Sequence, residues 1–116
     1  MLSKNLVNYI LENNGITYDM KKGAIVNSGY SCAKEENEYI VDGKITDYDL
    51  LVYMLKYQKD LTKKNAMLGV WYNTENEKTY IDTSFVFENV DDAKRFGKEN
   101  NQIAIFHLDT FTEIRL

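Results

Sequence analysis

The chain has 116 residues, of which 44% are hydrophobic and 28% charged, which suits one folded domain over residues 1–116 and argues against a disordered tail. Its formal net charge is −4, each half carries seven basic and nine acidic residues, and only Arg95 and Arg115 are arginines, so no basic half exists to meet a phosphate backbone. The lone cysteine, Cys32, excludes an internal disulfide and a thiolate metal cluster, and no apolar run nears the roughly 20 residues that span a bilayer.

In chain order, Leu2, Leu6, Val7, Ile10 and Leu11 fall at helical spacing, with Ser3 as N-cap and Asn13-Asn14-Gly15 as a left-handed stop. A strand over residues 16–19 leads into the Lys21-Lys22-Gly23 turn, followed by an extended segment over 24–33 in which Gly29 marks a bulge or close backbone approach. A short strand over 38–41 ends at Asp42-Gly43. Thr46 and Asp49 have capping-box spacing and open a helix carrying Leu50, Leu51, Met54, Leu55 and Tyr57. Residues 67–72 and 79–87 read as a hairpin, Asp91 to Gly97 as a short helix with acidic residues in its first turn, and residues 103–107 and 111–116 as a closing hairpin. The fold class expected from this order is α+β, a small mostly antiparallel sheet packed with about three short helices on one face.

From Gly15 onward, particular residues carry a resemblance. They are Gly15, Thr17 and Tyr18, then Gly29-Tyr30-Ser31, Leu68-Gly69-Val70-Trp71, Tyr80-Ile81-Asp82 with Ser84, and Asn101-Gln102 with Ala104-Ile105. This pattern resembles a group of small uncharacterised proteins of phages and mobile elements. The family's prolines after the Gly-Tyr pair are absent, since the chain has no proline. The resemblance implies a mobile-element origin and no particular activity; by analogy, small phage proteins of this size often inhibit or modify host defence or replication.

Candidate chemistry is sparse. His107 is the only histidine and has Asp109 nearby in sequence, but no nucleophile signature places it with Asp82 and Ser84. Tyr80, Asp82 and Ser84 repeat every two residues and therefore share a strand face, either as a ligand or contact stripe or as an ordinary solvent face. Asn101 and Gln102 follow a helix end, where their amides either cap the loop or read a partner. Trp71 and nine tyrosines are candidate contact residues, Tyr53 and Tyr57 sharing a helix face, although aromatic residues serve cores equally well. Cys32 reads as a small buried side chain, with Lys34, Glu35 and Glu36 as the charges nearest to it in sequence. No metal-binding spacing, calcium loop or glycine-rich phosphate loop is present, and no cofactor is called for.

The expected function is therefore protein–protein binding. The chain reads as a small phage or mobile-element protein, without a signal peptide at residues 1–11, acting in the cytoplasm of a bacterial host cell. Its partner is a host or phage protein, and inhibition of a host defence or nucleic-acid-processing protein is one version. The alternatives are a small-molecule-binding domain or enzyme with its site near Asp82, Ser84 and His107, and a structural or assembly module that forms homo-oligomers. Catalysis is left open as the less favoured reading, and direct nucleic-acid binding and membrane insertion are not expected.

Overall fold

The structure, a computed structural model, describes residues 2–116 apart from the side chains of residues 2–4 and 34–35. Helix α1 (Leu2–Asn13) buries Leu6, Val7 and Ile10 along one side, and Asn14 ends it in the left-handed region at φ 58°. The Ser3 side chain, the expected N-cap, lies outside the described residues, as do the side chains of Lys34 and Glu35 near Cys32. Strand β1 (Gly15–Asp19) turns back into the two-residue β2 (Ala24–Ile25), the turn being closed by the Asp19 carboxylate, which accepts from the backbone N–H of Lys21 at 2.9 Å.

Strand β3 (Tyr30–Asp42) differs from the sequence reading, which placed two separate extended segments here. The two are one strand because an irregularity absorbs the residues between them: Lys34 pairs with Thr83 and Tyr39 with Ile81, so residues 35–38 stand against Asp82 alone. Helix α2 (Asp47–Lys56) begins at the expected capping box, Thr46 Oγ1 accepting from Asp49 N at 3.2 Å and Asp49 Oδ2 from Thr46 N at 3.0 Å. A further turn, α3 (Gln58–Leu61), follows Tyr57 and buries Leu61. Strands β4 (Ala66–Asn73) and β5 (Lys78–Phe87) form the central hairpin. Helix α4 (Val90–Glu99) is capped by Asn89, whose side chain accepts from the N–H groups of Asp91 and Asp92, and β6 (Ala104–His107) with β7 (Thr112–Arg115) closes the fold.

The seven strands form one antiparallel sheet in the order β2-β1-β4-β5-β3-β6-β7. Strand register decides which side chains meet the helices. Val70 lies opposite Ile16 and Ile81, and Leu68 opposite Tyr18 and Thr83, so these project together toward α1 and α2 and join Ile10, Leu50 and Tyr53 in the main core. Cys32 lies opposite Phe85 and, with Ile105 and Ala93, forms a second core beneath α4. Every helix thus packs on the same face, and the α+β reading with helices on one side is what the chain adopts. No helix among the described residues is long and apolar enough to cross a membrane.

One polar cluster is buried within the main core. Tyr53 Oη donates to the carbonyl of Asn37 at 2.7 Å and, its proton so used, accepts from Thr83 Oγ1 at 2.9 Å. Asn37 belongs to the irregular segment of β3, so α2 holds that segment in place through one phenol. We expect Tyr53→Phe to leave the Asn37 carbonyl without its donor and to lower unfolding stability by about 1–3 kcal/mol. Urea titration should show this as a reduced midpoint with an unchanged slope.

Candidate functional site

Among the described residues, the opposite face of the sheet carries no helix. Its centre is built from residues of the parity that points away from the core: Gly15 and Thr17 on β1, Gly69 and Trp71 on β4, Tyr80, Asp82 and Ser84 on β5, and Ser31 and Ala33 on β3. Most are small where an apolar sheet face would carry Val, Ile or Phe, and the missing volume is an open cavity of about 760 Å³. Trp71 stands at one end, stacked on Tyr80 with ring centroids 5.6 Å apart. At the other end the 26–29 loop folds over the sheet and packs Val26 against Met67, Val86 and Leu108. Phe106, Phe111 and Glu113 border the β6–β7 side, and the end of α1 borders the β1 side at Asn13 and Asn14.

Gly29 allows the 26–29 loop to return into β3. It adopts φ +100°, and a side chain there would meet the Phe87 carbonyl oxygen at 2.9 Å, which is the close approach expected at this glycine. Its N–H donates to Asp109 Oδ1 at 2.8 Å, tying the loop to the β6–β7 turn.

Asp82 lies on the cavity floor. Ser84 Oγ donates to its Oδ1 at 2.8 Å, and this is the one hydrogen bond to the carboxylate among the described residues. On one flank a Cβ at Gly69 would collide with Asp82 Oδ1, so glycine is what leaves room for the carboxylate; on the other flank the register shift of β3 removes a regular cross-strand neighbour. Burial pushes the Asp82 carboxyl up to about 6; the Ser84 hydrogen bond opposes that rise and the charge of Glu38 adds to it. A carboxyl of this kind takes up and releases a proton near neutral pH, and it offers a ligand a strong acceptor on the cavity floor.

The structure gathers Trp71, Tyr80, Asp82 and Ser84 on this face, with Gln102 at the margin of the same cavity. It does not bring His107 to them. His107 pairs with Tyr30, which lies opposite Phe87, and this parity points toward α4; the imidazole stacks on the Tyr30 ring at 4.3 Å, with Nε2 3.2 Å from Asp109 Oδ1. A site joining Asp82, Ser84 and His107 is therefore not formed. Asn101 is an exposed residue at φ 59° in the turn after α4, and the Gln102 side chain donates to the Asn100 carbonyl at 3.3 Å, so both amides lie at a helix terminus.

Tyr53 is a core residue, 1% exposed, and Tyr57 lies against it with ring centroids 4.6 Å apart. The outward apolar side of α2 consists instead of Tyr48, Leu51 and Leu55. Cys32 is buried, and burial raises its thiol. Among the described residues no three His, Cys, Asp or Glu side chains converge as metal ligands would. The sequence reading passed over Gly69, Ala33 and Thr17 as site residues; a lone glycine in mid-strand beside small residues of matching parity was the available signal.

The sign of the Asp82 effect on stability follows from linkage. Its folded pKa is above the ordinary 3.8, so the native state binds the proton more tightly than the unfolded chain does. The associated stabilisation is complete below about pH 4 and is lost as pH rises through about 6. Asp82→Asn mimics the protonated form, and chemical denaturation should find it more stable than the parent by about 1–3 kcal/mol at pH 8 and equal to it at pH 4.

The chain matches no protein-family model, and comparisons with curated proteins and with solved structures give no match either.

Proposed function

We propose that the protein is a small-molecule-binding domain whose ligand occupies the cavity on the helix-free face of the sheet. The observation that carries this reading is Asp82: a half-buried carboxyl at the centre of the face, in space that Gly69 leaves clear, with a single hydroxyl as its partner among the described residues. Such a group lowers stability at neutral pH, and perturbed ionisable groups in clefts concentrate at functional sites. The cavity volume, about 760 Å³, falls within the range of small-ligand sites. A mixed wall of aromatic rings and a few polar groups is also what such sites use to hold and orient a ligand.

A second reading, binding of a host or phage protein, draws support from the rim. Trp71 is 56% exposed and Phe111 79% exposed beside the cavity mouth, and large exposed aromatic side chains are favoured anchors at protein interfaces. The mobile-element origin is compatible with both readings and rests on the sequence resemblance alone.

The two readings separate experimentally. Ala33→Leu adds a branched side chain beside Ser84 on the cavity floor without touching the rim aromatics. In a ligand-observed NMR fragment screen, the parent should give a set of hits that compete with one another, and Ala33→Leu should lose them while keeping its fold. Hits that survive this substitution would refute the cavity as the binding site. A protein captured from host cells by the parent and by Ala33→Leu alike, but not by Trp71→Ala, would favour the second reading.

A further inference from the structure

The charge inventory of the cavity is one-sided. Among the described residues that line it, Asp82 and Glu113 are carboxylates and none is Lys, Arg or His. Two described cations are committed elsewhere: Arg115 pairs with Glu113 at 3.3 Å on the exposed edge strand, and Lys21 donates to the Ala66 carbonyl at 2.6 Å beside Asp19. Among the described residues, Asp82 therefore has the Ser84 hydroxyl for a partner and no cation paired with it.

Enclosed carboxylates are ordinarily paired, because desolvation costs more than a neutral hydrogen bond returns. An anionic ligand would meet the Asp82 carboxylate here and, among the described lining residues, no basic side chain. The aromatic rings add to the same bias, since Trp71 and Phe106 both line the cavity and aromatic faces carry negative quadrupole potential that attracts cations. The space above Gly69 is taken by the Asp82 carboxylate and the Ser84 hydroxyl, so the carboxylate stands over β4 on the cavity floor, two residues along that strand from Trp71.

Resting on the cavity reading above, we propose that the ligand is a small organic cation, an ammonium or amidinium group on a flat apolar body. Its N–H groups donate to Asp82, and its body extends from the carboxylate toward Trp71. Charge-assisted bonds to the carboxylate supply the selectivity, and aromatic contact supplies sequence-independent affinity for the flat body.

The test uses three probes of nearly one shape: benzamidinium, benzamide and benzoate, each titrated into the parent protein and into Asp82→Asn at pH 7.5 and followed by amide chemical shifts. The parent should bind benzamidinium at least about tenfold more tightly than benzamide and should reject benzoate. Asp82→Asn should weaken benzamidinium by about tenfold or more and benzamide by much less. Equal binding of benzamide and benzamidinium to the parent, with shifts at cavity residues, would overturn the cation assignment and leave the cavity reading standing. Absence of shifts at Gly69, Ser84 and Ala33 with all three probes up to their solubility limits would overturn both.

Discussion

The phenol of Tyr53 fixes the geometry on which the site depends. It reaches from α2 through the sheet-facing core to the Asn37 carbonyl and to Thr83, and so pins the segment where β3 departs from regular pairing. That segment lies opposite Asp82, one residue along β5 from Thr83. A buried network of this kind is stable only when every member is satisfied, and no buried side-chain nitrogen or oxygen lacks a partner among the described residues. The core side of the sheet thus determines the shape of its open side: the same irregularity that accepts the Tyr53 hydrogen bond takes a regular neighbour away from Asp82.

Burial is divided unequally between the two faces. The helix face holds the large apolar side chains, Leu68, Val70 and Ile81 on the central strands and Cys32 and Ile105 beneath α4. The other face places Gly69, Ala33, Ser31 and Ser84 at comparable central positions, and an apolar cluster of Met67, Val86 and Leu108 forms only at one end. Filling the centre with larger apolar residues would bury more area at about 25 cal/mol per Å². A chain that instead keeps small residues around a carboxyl with a raised pKa gives up stability there, which is the pattern expected where binding rather than packing sets residue choice.

Much of the fold was legible because local signals agreed with it. The Thr46–Asp49 capping box, the Asn14 stop, the close approach at Gly29 and the two-residue repeat of Tyr80, Asp82 and Ser84 all depend on short-range chemistry, and all are present. The joining of the two halves of β3 was not legible, since it rests on Tyr53 reaching Asn37 across 16 positions of sequence. His107 illustrates the same limit: alternation within β6 is readable, but which side of the sheet it faces follows from its pairing with Tyr30. Likewise Tyr53 and Tyr57 share a helix face as spacing requires, yet only tertiary packing makes that face the core. The cavity itself is a sum of small residues from separate strands, and no single segment carries its signature.

The account turns on the ionisation of one carboxyl in the setting that Gly69, Ser84 and the irregular β3 segment create. Direct ¹³C NMR titration of the Asp82 carboxyl carbon, assigned by comparison with Asp82→Asn, reads that setting without perturbing it. A midpoint near 6 is the result the account predicts, with the midpoint lowered when an organic cation occupies the cavity. A midpoint near 4, as for an aspartate in open water, would contradict the desolvated carboxyl at the centre of the proposed site.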